Sequence, residues 1–331
     1  MAAILARAGV IATAGKGFSG RRRGNGIVVA AVTKTGAAVP QEGALERPAW
    51  SGETTLSRLV GALIAFKPLY AVLKLASREV IIRTAEKSNI PWREMTKEVL
   101  ESDVYEVFER IQDPNLVYPD YYLNPFHAYD EGNLSWLAAA EAEPATMSIA
   151  KRAIPEATSI EEANQIVRGN WLNVIEEHHL KYSGNCQGLD LSPYFLAVAA
   201  QKEEKLSRPK PIRWVHANGE ATGLSSDSFD LVSLAYVCHE CPARAITGLV
   251  KEAFRVLRPG GTIALTDNSP KSKVLQELSP VLFTLMKSTE PFLDEYYMLD
   301  LEETMRKVGF VNVCSVLTDP RHRTVTATVP Y

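Results

Sequence analysis

Three short apolar runs between Gly188 and Asp267, separated by helical or polar segments, restrict the fold of this chain more than any other feature. They are Gly188-Leu-Asp190-Leu-Ser192, Phe229-Asp-Leu-Val-Ser-Leu-Ala-Tyr-Val237 and Thr262-Ile-Ala-Leu-Thr-Asp267. Apolar strands alternating with helices predict a mostly parallel α/β sheet covered on both faces. Ligands of such sheets collect outside the carboxyl ends of the strands. Asp190, His239 and Asp267 stand at or just past those ends, so a nucleotide-like ligand is expected there.

The flanking sequence extends this pattern. Ser159-Ile-Glu-Glu162 has the form of a capping box and opens a helix running toward His179. Ser192-Pro193 starts the helix behind Asp190, with serine as cap and proline in the first turn. Ile212-Arg-Trp-Val-His216 reads as a further strand after Pro209-Lys-Pro211. Near the carboxyl terminus, Asp300-Leu-Glu-Glu303 caps a helix stopped by Gly309. Phe310 to Leu317 and Thr324 to Val329 then alternate as an antiparallel pair about Asp319-Pro320.

Gly188-Leu-Asp-Leu-Ser-Pro-Tyr-Phe-Leu-Ala-Val-Ala-Ala200 resembles the second strand and following helix of class I S-adenosylmethionine-dependent methyltransferases. Ala217-Asn-Gly-Glu-Ala221, followed by Asp227-Ser-Phe-Asp-Leu-Val232, resembles their adenine-side loop and fourth strand. Glu252-Ala-Phe-Arg-Val-Leu-Arg-Pro-Gly-Gly261 is similar to the helix end and turn before the fifth strand. Order and spacing resemble the type 11 group, which includes the quinone-biosynthesis enzymes, and the aromatic-rich segment before it resembles a plant plastid branch. The resemblance implies a Rossmann-like methyltransferase sheet with a C-terminal antiparallel pair, S-adenosyl-L-methionine as methyl donor, and a small or lipophilic acceptor. It implies that Asp190 accepts the ribose hydroxyls and that Leu191 packs on the adenine face. Asn218, Gly219, Glu220 and Ala221 would read the adenine edge, with Asn218 where the family usually has Asp. His239 is the candidate base for an acceptor that must lose a proton, and Glu240, Tyr236, Asp267 and Asn268 lie near the expected transfer site.

One departure bears on all of this. The family's first strand, glycine-rich loop and helix should precede Gly188, and a βαβ unit needs roughly 30 residues. Only Leu180-Lys-Tyr-Ser-Gly-Asn-Cys-Gln187 separates the preceding helix from Gly188, and no G-x-G occurs there. The chain reads as if one strand–loop–helix block had been skipped. The expected consequence is a sheet whose second and fourth strands pair directly or leave a slot. A methyltransferase-like scaffold or defective isoform that binds no cofactor is therefore the alternative reading. A nicotinamide-dependent dehydrogenase also needs a glycine fingerprint, and Arg-Pro-Gly-Gly261 favours the methyltransferase over it.

Residues 1 to 41 contain no Asp or Glu but hold Arg7, Lys16, Arg21, Arg22, Arg23 and Lys34 among small residues. That composition, with Ile27-Val-Val-Ala-Ala31 after the arginines, predicts an organellar transit peptide over residues 1–31. A chloroplast destination is expected, with the mitochondrion as alternative. Residues 32–55 read as a linker, 56–158 as a helical and aromatic-rich extension, and 159–331 as the methyltransferase domain. Leu56 to Ala76 is apolar but carries Arg58, Lys67, Pro68 and Lys74, which argues against a spanning helix. An amphipathic helix fits, packing on the core or making peripheral membrane contact. The aromatic stretch from Tyr118 to Tyr129, with Asn133-Leu-Ser-Trp136 beyond it, either covers a substrate pocket or fixes the extension to the main domain. Lys271 to Lys287 carries Val274, Leu278, Leu282, Leu285 and Met286 at helical spacing, a pattern of core burial. Cys238-His-Glu-Cys241 lies after a strand with no second CxxC, so no metal site is expected from it. A net charge of −3 gives no support for nucleic-acid binding, and nothing in the sequence fixes the oligomeric state.

Overall fold

The computed structural model describes residues 11–14, 40–179, 185–206 and 212–331. Its strands are β1 (Ile11–Ala14), β2 (Asn185–Asp190), β3 (Arg213–His216), β4 (Phe229–Ala235), β5 (Leu257–Asn268), β6 (Val311–Leu317) and β7 (His322–Thr328). They form one seven-stranded sheet in the order β3-β2-β1-β4-β5-β7-β6. Strands β2 and β3 pair in parallel, as do β4 and β5, while β7 is antiparallel to β5 and β6. The parallel sheet with a closing antiparallel pair is therefore present as expected.

The centre of the sheet corrects one expectation. Strands β2 and β4 neither pair directly nor leave a slot. Strand β1, from the amino-terminal segment, lies between them and is antiparallel to both. Ala12 faces Gln187 on one side and Val232 on the other. Two facing strand edges present unpaired backbone groups, and any short extended segment in reach can satisfy them. Residues 1–10 and 15–31, the rest of the expected transit peptide, lie outside the described residues.

The helices are α1 (Thr55–Ala65), α2 (Lys67–Lys87), α3 (Trp92–Leu100), α4 (Val104–Ile111), α5 (Trp136–Ala153) and α6 (Ile160–His179). They continue with α7 (Pro193–Leu206), α8 (Ala243–Val256), α9 (Lys273–Gln276), α10 (Pro280–Thr289), α11 (Leu293–Met298) and α12 (Leu301–Val308). Successive side chains of a strand point to opposite faces. Accordingly Ile263 and Leu265 of β5 share a core with Ile246 and Leu249 of α8, whereas Ala264 packs with Leu231 and Trp171 of α6. Every residue of β5 from Gly261 to Asn268 is buried, so the sheet is covered on both faces there. In the turn entering β5, Gly260 has φ +80, and a Cβ on it would meet the Tyr331 ring at 2.7 Å. Glycine is thus favoured by the backbone conformation, since the exposed Tyr331 ring could move aside.

The extension joins the main domain through a shared core. Ile82, Trp92, Ala138, Ala142 and Ala145 of α2, α3 and α5 pack with Phe195 and Val198 of α7. Glu141, buried within α5, accepts from Arg78 and from the Tyr129 hydroxyl at 2.5 Å. Helices α1 and α2 meet at 92°, where Pro68 sits at the second position of α2. Much of their apolar surface is exposed: Leu59 is 60%, Phe66 61% and Leu75 71% accessible. Among the described residues no single helix is long and apolar enough to cross a membrane. In the segment read as a buried stripe, Phe283 and Met286 are buried but Val274, Val281 and Leu282 are exposed. The helical spacing there was right, but the outward side faces solvent beside α2.

Candidate functional site

A cleft enclosing about 770 Å³, including its open mouth, lies at the carboxyl ends of β2 and β4. Asp190, Leu191, Asn218 and Gly219 line one wall. They meet because β2 and β3 are in register at Asp190 and His216, and the Ala217 amide donates to the Asp190 carbonyl at 3.1 Å. His216 secures the same corner. Its Nδ1 accepts from the Asp113 amide at 2.8 Å, so the proton sits on Nε2, 3.1 Å from the Leu191 carbonyl oxygen.

Two of the residues expected at the adenine edge do not line this wall. Asn218 Oδ1 accepts from the Glu220 amide at 2.9 Å, closing a tight turn. That turn sends Glu220 toward the Tyr121 hydroxyl, which donates to Glu220 Oε1 at 2.7 Å, and leaves Ala221 exposed. The cleft wall on this side is therefore formed by residues that include Asp190, Leu191, Asn218 and Gly219.

The opposite wall comes from the extension and from the segment before α11. Tyr121, Tyr122, Asn124, Phe126, Asn133 and Phe292 line it. Of the two roles open to the aromatic stretch, covering the pocket is one that it fulfils. Ser192 Oγ donates to the Asn133 carbonyl at 2.7 Å, and Asn133 Nδ2 donates to Glu240 Oε2 at 2.7 Å. The helix-capping serine, the extension and the end of β4 are thus tied together across the cleft. Phe292 gave no sequence signal of its own, because it reaches the cleft only through tertiary packing.

Burial governs the charges. It pushes Asp190 up to about 8, against the lowering effect of the Ser192 amide that donates to Oδ1 at 2.8 Å. It pushes Glu240 well above the usual carboxylate range, with His239 and Asn133 opposing. His239 is fully buried behind Glu240 and does not line the cleft. Its Nδ1 lies 2.6 Å from Asp267 Oδ1, and its amide donates to Asp267 Oδ2 at 3.2 Å. Burial disfavours its charge, but the Asp267 carboxylate outweighs that and raises His239 to about 9. Asp267 is consequently a positioning partner of His239. Tyr236, at φ 61, stacks edge-on against His322 at 5.0 Å and, like Asn268, stays outside the cleft lining.

Behind Glu240 and His239 lies a second, apolar pocket lined by Ile81, Ile82, Trp92, His127, Leu285 and Met286, among others. His127 and Ala128 both have positive φ, 47° and 68°. Such conformations cost energy for non-glycine residues and persist only where the surroundings enforce them.

Comparison with known proteins agrees with the strand-end arrangement. Residues 168–265 match the family model described as a methyltransferase domain. The chain is similar to demethylmenaquinone methyltransferase of Lactococcus lactis, 30% identical over 165 residues, which cover 44% of this chain and 63% of that one. It is also similar to the mitochondrial 2-methoxy-6-polyprenyl-1,4-benzoquinol methylase of Caenorhabditis elegans, 31% identical over 156 residues, covering 38% and 53% respectively. This chain thus spans between half and two thirds of the length of these curated relatives. Among solved structures, the PH0226 protein of Pyrococcus horikoshii is similar at 12% identity and a TM-score of 0.41, over 54% of this chain and 97% of that one. The likeness to that structure is too loose to add weight. Over residues 168–265, then, this chain is similar to the methyltransferase domain of quinone-biosynthesis methyltransferases.

Proposed function

We propose that this protein transfers a methyl group from S-adenosyl-L-methionine to a small lipophilic acceptor of the quinol type, in the plastid and at a membrane surface. The observation that carries the reading is the convergence of Asp190, Leu191, Asn218 and Gly219 on one cleft at the carboxyl ends of parallel strands. Asp190 would accept the sugar hydroxyls, and Leu191 would lie against the base. Methyl transfer from a sulfonium is an in-line displacement, so orientation supplies much of the rate. An acceptor carbon or hydroxyl must also lose a proton. His239, held at about 9, already carries its proton near neutrality, so it serves better as a buried positive charge than as base. Glu240 borders the cleft, and its carboxylate form, which His239 and Asn133 favour against burial, would take up that proton.

The apolar pocket beside His127 supports a lipophilic acceptor, and the α1–α2 face supports a membrane location. Residues 54–78 contain no acid, and exposed Arg58 and Lys67 stand alongside exposed Leu59, Leu63, Phe66 and Val72. Basic and apolar groups on one surface match an anionic lipid interface. The acid-free start of the chain supports organellar import, and the plastid is the reading its composition favours.

A second reading has its own support. Because β1 is antiparallel, its amino end and not its carboxyl end faces the ligand edge of the sheet. In the family, the loop after a parallel first strand holds the methionine part of the donor, so that half lacks its usual cradle. A chain that has lost cofactor binding would keep this fold as a scaffold. Incubation with methyl-labelled S-adenosylmethionine and demethylated benzoquinols of increasing tail length, in anionic vesicles, separates the two. Label transferred to the long-tailed quinol supports the enzyme. No transfer, together with no heat on titration of millimolar S-adenosylhomocysteine, supports the scaffold.

A further inference from the structure

Two buried histidines and a half-buried carboxylate meet where the cleft and the apolar pocket adjoin. One ligand atom from each of His127, His239 and Glu240 lies within 4.8 Å of the others. Glu240 faces the cleft and His127 faces the apolar pocket, with His239 between them. The side chains of His239 and His127 are 0% and 2% exposed. Among the described residues, His239 Nε2, both ring nitrogens of His127 and Glu240 Oε1 have no hydrogen-bond partner. The nearest acid to His127 is Glu290, whose Oε1 lies 3.7 Å from Nε2, beyond hydrogen-bond reach. Unpartnered buried polar atoms are costly, and several aimed at one point call for an occupant.

We infer that His127, His239 and Glu240 form a binding site for a divalent first-row transition cation of the zinc class. Two imidazoles and one carboxylate are a donor set suited to such ions, which on binding would displace the protons held on His239 and Glu240, and three protein ligands leave at least one coordination position open. The surroundings are those of a ligand histidine. Asp267 lies against His239 Nδ1 and directs Nε2 toward the site, the outer contact that fixes tautomer and ring orientation in metal centres. Asn133 holds Glu240 through the other carboxylate oxygen, leaving Oε1 for the ion. In a loaded tetrahedral site the ligand atoms stand roughly 3.4 Å apart, given bonds of about 2.1 Å. The 4.8 Å spread therefore needs only side-chain rotations of about an ångström. The role of the ion rests on the methyl-transfer reading: an acceptor oxygen in the open position would lose its proton more readily, with Glu240 acting as ligand in place of base. The binding itself does not depend on that reading.

The test uses the full chain, stripped with a chelator and titrated with cobalt(II) while the ligand-field absorption of the bound ion is followed. One saturable equivalent, displaced by zinc, is expected. H127Q and E240Q should each weaken cobalt binding by more than about tenfold, and D267N by about 10- to 100-fold, with the far-ultraviolet dichroism unchanged. No saturable ligand-field spectrum in the wild-type chain would overturn the site, as would an undiminished spectrum in both H127Q and E240Q. Calorimetry of S-adenosylhomocysteine on the stripped wild-type chain reads the methyl-donor assignment separately, because Asp190, Leu191, Asn218 and Gly219 include none of the three ligands.

Discussion

Replacing Asp190 with asparagine probes the nucleoside assignment through its dependence on pH. Asp190 is buried, and its pKa of about 8 means that the ligand-free protein holds it protonated at neutrality. A carboxylate that accepts two sugar hydroxyls must be ionised. Below pH 8 binding therefore releases a proton, and affinity should fall about tenfold for each pH unit. Above that point the affinity should level off. Hydrogen bonds to a charged group contribute about 1.5–3 kcal/mol each, so Asp190→Asn should cost about 2–4 kcal/mol on the plateau, roughly 30- to 1000-fold. The variant has no carboxyl to titrate, and its affinity should be flat, approaching that of the wild type near pH 6. Calorimetry with adenosine, which does not itself titrate in this range, measures both curves. Repeating it in buffers of different ionisation enthalpy counts the released proton. A wild-type affinity independent of pH between 6 and 9, or an equal slope in the variant, would refute the reasoning.

Other consequences can be measured independently. A chain beginning at residue 32, as transit-peptide removal would produce, loses β1 and bares the facing edges of β2 and β4. Each buried group left unpaired costs about 1–3 kcal/mol, so this chain should melt earlier and exchange the Leu231 to Ser233 amides faster than the full chain. Leu59→Glu combined with Phe66→Glu, both at exposed positions, should leave the melting temperature within a degree or two but reduce sedimentation with anionic vesicles by about tenfold or more. Arg78→Met leaves the buried Glu141 carboxylate without its cation and should cost about 3–5 kcal/mol in denaturant unfolding.

The sheet was legible because β4 and β5 are buried on both faces and so appear as continuous apolar runs, Phe229 to Ala235 and Thr262 to Asp267. Asp300, whose carboxylate accepts the Glu303 amide at 2.8 Å, and Gly309, at φ 121, marked α12 by local chemistry alone. What eluded sequence reading was what depends on contacts between distant segments. Ile11–Ala14 has the composition of a leader, and nothing local reveals that two open strand edges will recruit it. Glu220 and Ala221 sit in the right loop, but a side-chain hydrogen bond from a neighbouring residue turns them off the cleft. His239 was legible as a candidate, whereas its partnership with His127 joins residues more than a hundred positions apart. The α1–α2 face could be read as amphipathic, but only the 92° bend and the exposure of Leu59 and Phe66 show which side meets solvent.

Diffraction from crystals grown with adenosine would locate the ligand relative to Asp190. The account predicts both sugar hydroxyls within about 2.6–3.0 Å of its carboxylate oxygens, and the base against Leu191. A nucleoside bound elsewhere, or a cleft that stays empty at saturating adenosine, would contradict it.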